Sequence, residues 1–326
     1  MTDPTAPPPD PTPARPDRPS PRPVLGRRAF VLGAASLGAL AACGSGDDAE
    51  PVVTAGGPSG TGASGGDGDG ADGSDLAPGT FAVIQRFPQD VLAPGEVRVP
   101  FSLAGTDAQF VEDGPSPLGA QLVDVDGEPL GERVEAVRRD VAPAAYYAFR
   151  VPVADPGIYA LVVDGGPAEG ASFQVSDPGA IAVPGPGDAL PPFDTPTTDD
   201  ARGVDPVCTR EPACPFHELT LTDALATGRP VAYLVGTPAF CQTGSCTPAL
   251  EAMIELADEY ADRFEFVHAE VFTDLTATTV APAVEAVSMT YEPAVFLTDA
   301  DGTVVDRLDG LWDVTELRER LDAAGA

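Results

Sequence analysis

Between residues 80 and about 176 the chain alternates apolar and polar positions in short runs: FAVIQRF, EVRVPFSL, AQLVDVDG, ERVEAVRR, AYYAFRVPV, GIYALVVD and ASFQV. Pro, Gly or Asp clusters bound each run, and a period of two turns one face of each run inward, so about seven strands of an antiparallel β-sandwich are predicted. Beyond residue 206 the period changes. Pro230 to Val235 forms a buried-strand pattern, whereas Leu250, Met253, Ile254, Ala257 and Tyr260 share one face of an amphipathic helix from Pro248 to about Arg263. Thr222 to Thr227 and Ala281 to Val287 predict short helices, and Phe264 to Phe272 a strand. Ala294 to Leu297 and Thr303 to Leu308 flank the turn signal DADG, residues 299 to 302. Asp313 with Glu316 forms a capping box ahead of a last helix to about Ala323.

Composition divides the rest. Residues 44 to 79 are Gly, Ser, Asp and Ala with almost no large apolar side chain, too little to offset the entropy of ordering, so residues 43–79 are expected to be a disordered tether. Residues 177–205 are Pro-rich and predict a stiffer linker. The expected organisation is multidomain: a β-sandwich over 80–176 and an α/β domain over 206–326. The formal charge of −33, from 51 acidic residues against 18 basic ones, repels nucleic acid. Every basic residue is arginine. A Gly-rich phosphate loop, H-E-x-x-H and G-x-S-x-G are absent from the sequence.

Two stretches resemble known features. DPGIY, Asp155 to Tyr159, is similar to the tyrosine corner of immunoglobulin-like domains, which implies an immunoglobulin-like sandwich. Near the start, Arg27 and Arg28 precede an apolar stretch from Ala29 to Ala42, about half the ~20 residues that span a bilayer. The arginine pair resembles a twin-arginine (Tat) export signal, and Leu40, Ala41, Ala42 and Cys43 resemble a bacterial or archaeal lipobox. Residues 1–42 are then a cleaved signal peptide, Cys43 is lipidated, and the protein sits on the extracytoplasmic face of the cell membrane.

Disulfides persist outside the cytoplasm, and Cys208, Cys214, Cys241 and Cys246 make an even set in which neighbour pairing is the economical arrangement. Either small ring stabilises by ~2 kcal/mol, so energy does not tell a catalytic pair from a structural one. Position does. RPVAYLVGTPAFC, ending at Cys241, then YEPAVFL with Pro293, then DGTVVDRLDGL with Gly310, resemble in order and spacing the thioredoxin superfamily over residues 215 to 326.

That resemblance implies a thioredoxin-like fold and exchange of thiols and disulfides with exported proteins, without a cofactor. Cys241 is implied as nucleophile and Cys246, in the first turn of the following helix, as resolver; the unpaired N–H groups there favour a thiolate. Pro293 is expected cis against the pair, with Phe240, in place of the common tryptophan, beside it in the substrate groove. Cys208 and Cys214 are expected as a structural disulfide. The chain departs from the pattern in placing four residues between Cys241 and Cys246, and in placing Val235 where a buried acid often stands.

Two other functions stay open: a binding or scaffold protein with a locked disulfide, and Cu(I) delivery of the Sco type, which adds a distant histidine to the cysteine pair. The chain has His217, expected as a surface or packing residue, and His268, expected in the core or on a sheet face. Zinc is expected only if four thiols converge, so no metal site is predicted.

Overall fold

The computed structural model describes residues 76–325. The expected signal with Arg27 and Arg28, the expected lipidation site Cys43 and most of the expected tether lie outside the described residues. No helix among the described residues is long and apolar enough to cross a membrane.

The first module contains β1 (Ala82–Gln85), β2 (Gly95–Ala104), β3 (Leu118–Val123), β4 (Val134–Ala136), β5 (Arg138–Arg139), β6 (Tyr146–Val153), β7 (Gly157–Val163) and β8 (Ala171–Val175). They form two four-stranded sheets, β1-β2-β6-β5 and β4-β3-β7-β8, with every pairing antiparallel. Val99, Phe101, Leu118, Phe149, Leu161 and Phe173 belong to one buried cluster shared by the two sheets. Seven predicted runs become eight strands because ERVEAVRR divides. Its first half pairs with β3 and its second with β6 of the other sheet, and Val137 at the crossing is 53 % exposed. A strand that changes sheets makes a corner of a sandwich, and simple alternation does not announce it. AQLVDVDG stops pairing at Val123 because Asp124 Oδ1 accepts the N–H groups of Asp126 and Glu128, both at 2.9 Å, folding the remainder into a turn. Tyr159 donates its hydroxyl to the Asp155 carbonyl at 2.8 Å, the bond expected of the corner motif.

The second module runs α1 (Leu221–Ala226), β9 (Val231–Val235), α2 (Cys246–Tyr260), β10 (Glu265–Ala269), α3 (Pro282–Ala286), β11 (Ala294–Thr298), β12 (Val304–Asp309) and α4 (Val314–Ala324). Its sheet order is β10-β9-β11-β12, with β10 parallel to β9 and the other pairings antiparallel. All five residues of β9 and all five of β11 are buried, as in central strands covered on both faces. Leu250, Met253 and Leu256 of α2 and Leu317 and Leu321 of α4 cluster with Leu234 and Leu297. Leu221 and Ala224 of α1 and Val284 of α3 cluster with Tyr233, Val235 and Phe296. The module is thus a four-stranded mixed sheet with helices on both faces.

Residues 177–205 pack against the second module. Gly187 and Asp188 exchange backbone bonds with Val304, both at 2.8 Å, Leu190 N–H donates to Gly302, and Arg307 reaches the Pro184 carbonyl at 2.7 Å. The apolar Val183 and Leu190, set among prolines, are buried there.

A buried ion pair joins the modules. Arg98 of β2 donates from Nε and Nη2 to the two carboxylate oxygens of Glu316 in α4, at 2.6 and 2.7 Å, and Tyr146 donates to Glu316 at 2.6 Å. Burial alone would raise the Glu316 carboxyl, but Arg98 beside it holds it below its usual range. Asp313 caps α4 by accepting the Glu316 N–H at 2.7 Å. The Glu316 side chain, however, turns to Arg98 rather than back to the cap, because a bidentate charged pair is stronger than a neutral capping bond.

Candidate active site

β9 delivers the chain to Gly236, where β9, α2 and the turn before β11 converge. A methyl group on Gly236 would lie 3.1 Å from Cβ of Pro293 and 3.5 Å from Sγ of Cys246, so glycine is what lets the proline and the sulfur close on one another. The Glu292–Pro293 bond is cis and Pro293 is buried. Phe240 is half-buried, its ring edge-on to Phe272 with centroids 6.2 Å apart.

The loop ends in α2, whose N-cap residue Ser245 makes no side-chain cap bond. The sulfur of Cys241 takes that role by accepting the Cys246 N–H at 3.3 Å. Thr243 Oγ1 lies 3.3 Å from the same sulfur and Ser245 Oγ 4.0 Å. Cys241 is half-exposed, whereas Cys246 is 1 % exposed. The hydrogen bond from the Cys246 thiol, then those from Thr243 and the backbone N–H groups of Cys246 and Ser245, pull the Cys241 thiol down to about 4 against burial. Its donation to Cys241, burial and the nearby Glu292 charge push Cys246 the other way. At neutral pH one sulfur is therefore ionised and the other protonated.

The proton of Cys246 has a second acceptor, since its Sγ lies 3.4 Å from Oε2 of Glu292. Burial first, and then the Cys241 charge, push the Glu292 carboxyl up to about 7, although the Thr237 N–H bonded to it at 2.9 Å works in the other direction. Val235 carries no acid, as expected, but Glu292 supplies a carboxylate from the turn before β11. The sequence signal was its place directly before Pro293, the residue expected against the pair.

Cys208 and Cys214 lie elsewhere, in a buried cluster with His217 and His268 whose four ligating atoms are within 4.8 Å of one another. All four cysteines among the described residues are free thiols in this structure. His217 is not a surface residue: it is 2 % exposed, and its Nε2 lies 3.2 Å from Nδ1 of His268. Both histidines therefore face Cys208 and Cys214 rather than the 241/246 pair, whose third neighbour is Glu292. The expectation that a metal cluster needs four thiols overlooked these rings. A chain of bonds connects the two centres: Glu270 accepts from the Thr209 N–H at 2.6 Å and from the Thr237 hydroxyl, and the Thr237 N–H holds Glu292.

No protein-family model and no curated protein matches the chain. Among solved structures it is similar to the thiol:disulfide interchange protein DsbE of Chlorobium tepidum, at 18 % identity and TM-score 0.33, covering 44 % of this chain and 99 % of that one. It is also similar to a thioredoxin-family thiol:disulfide interchange protein of Chlorobium tepidum TLS, at 18 % identity and TM-score 0.31, covering 42 % and 96 %. Trypsin-activated alpha-2-macroglobulin of Escherichia coli matches at 16 % identity and TM-score 0.23, over 73 % of this chain and 14 % of that one.

Proposed function

We propose that the protein is a lipid-anchored extracytoplasmic thiol–disulfide exchanger that acts on exported proteins, with an immunoglobulin-like module carried beside its thioredoxin-like one. The observation that carries this is the asymmetry of the pair: a half-exposed Cys241 sulfur bonded to the N-terminal amide of α2, and a buried Cys246 sulfur next to Glu292.

The Cys241 thiolate attacks one sulfur of a substrate disulfide, forms a mixed disulfide and releases the other substrate sulfur as a thiolate that takes a proton from solvent. Cys241 then no longer draws the Cys246 proton, which passes to Glu292. The freed Cys246 thiolate attacks the Cys241 sulfur, expels the second substrate sulfur as a thiolate that takes the proton from Glu292 or solvent, and leaves a Cys241–Cys246 disulfide. Two electrons go from the protein to the substrate, and the reverse sequence oxidises a substrate dithiol. Pro293 and Phe240 border the groove in which the substrate strand lies.

The test is the reduction potential of the pair in the full chain. A value between about −270 and −120 mV supports exchange, whereas one below about −300 mV marks a locked structural bridge and a scaffold role. Stoichiometric Cu(I) binding that disappears in Cys241→Ser would replace exchange with copper delivery.

A further inference from the structure

We propose that Cys208, Cys214, His217 and His268 form a closed structural site for a tetrahedral divalent cation of the zinc class, separate from the 241/246 pair. The four residues come from two places far apart in sequence. The segment before α1 gives both cysteines and His217, and β10 gives His268. All four are buried, at 7, 5, 2 and 1 % exposure.

Hydrogen bonding does not account for this convergence. His268 Nε2 lies 2.8 Å from the Gly236 carbonyl and donates its proton there, so Nδ1 presents a lone pair inward. Facing that lone pair are His217 Nε2 at 3.2 Å, Cys214 Sγ at 3.4 Å and Cys208 Sγ at 3.9 Å. One lone pair accepts one proton, yet three groups crowd it. A cation among them satisfies all four donors at once.

The spacing fits such an ion. Bonds of about 2.3 Å to sulfur and about 2.05 Å to nitrogen at tetrahedral angles give S···N edges of about 3.6 Å and N···N edges of about 3.3 Å. The observed edges to His268 bracket the first value, and the imidazole pair meets the second. Two thiolates and two imidazoles in a tetrahedron select zinc, and they neutralise its double charge, so no net charge is buried. Binding displaces one proton from each thiol. Every position is taken by the protein, which is the pattern of a structural ion rather than a catalytic one.

The outer contacts are half complete. Gly236 fixes the His268 ring, while Nδ1 of His217 has no partner. Gly236 also closes on Cys246 and Pro293, so the ion would brace the base of the exchange loop from behind.

The experiment takes the full chain with Cys241 and Cys246 replaced by serine, reduces it, and titrates Zn²⁺ against a chromophoric chelator and Co²⁺ by visible absorption. Expected are one equivalent of zinc, an intense tetrahedral cobalt spectrum with thiolate charge transfer, and an affinity loss of about 100-fold or more in His217→Ala that His217→Cys restores. Absence of zinc binding in the serine background, a pale octahedral cobalt spectrum, or unchanged affinity in His217→Ala overturns the proposal. So does a Cys208–Cys214 disulfide in the isolated protein that resists reduction and leaves no thiols for the metal.

Discussion

The two cysteine pairs are near twins in sequence, C-x5-C and C-x4-C, and opposites in their surroundings. Cys241 and Cys246 meet at the start of a fifteen-residue helix with a backbone amide, two hydroxyls and a carboxylate in reach, and one of the sulfurs faces solvent. Cys208 and Cys214 lie in a buried pocket opposite two imidazoles. A sulfur given one polar amide and a proton donor is poised to attack; a sulfur enclosed by other soft ligands is poised to be held. Spacing brings each pair together, and the neighbours decide what it does.

The comparison breaks most visibly at Glu292. Glu292→Gln keeps the shape but removes the proton acceptor of Cys246, and the decay of a trapped mixed disulfide is expected to slow by about 100-fold above pH 7, within the range of general base catalysis. With Glu292 titrating at about 7, the base form is present above that pH and lost below it. The wild-type rate of this step therefore rises and levels off around pH 7, and the Gln variant loses that inflection, its slower rate continuing to rise with the thiolate fraction of Cys246.

Gly236→Ala tests the place where the two centres touch. Its methyl group would press on Pro293 and Cys246, while the carbonyl of the same residue serves His268. A loss of about 1–3 kcal/mol is expected in denaturant unfolding, as for other overpacked cores. The zinc affinity of the other centre should fall with it.

The smallest effect belongs to Thr243. Alkylation of Cys241 by iodoacetamide should have its midpoint at about 4, and Thr243→Val should move it upward by less than about one unit, because the other bonds to the sulfur remain. The folded value lies below that of an unfolded thiol, about 8.5. The stability that this thiolate gives the reduced protein is therefore fully present above pH 8.5 and is lost as pH falls through 4.

Much of the frame was legible because its periods are plain. The alternating runs gave the sandwich strands, and Leu250, Met253 and Tyr260 gave α2. Cys241 and Cys246 were legible from their position between a buried strand and that helix. Glu292 was not read, since it is one of 51 acidic residues and only its place directly before Pro293 sets it apart. The metal-type cluster was hidden by distance, because His268 is 60 residues from Cys208 and meets it only once β10 pairs with β9 and the segment before α1 folds over them. Strand alternation left His268 in the core or on a sheet face, and alternation does not say what a buried ring faces. The Arg98–Glu316 pair was concealed in the same way, its partners lying 218 residues apart in different modules.

A methyl group placed on Gly244, at the tip of the exchange loop, would sit 3.6 Å from Cγ of Pro143, which belongs to the turn between β5 and β6. The thiol-free module thus stands as a doorpost beside the reactive sulfur. Under the proposed exchange reaction this post would hold a bulky folded client away from Cys241 and let a slender extended segment past, and severing the module would widen the clientele without touching the pair.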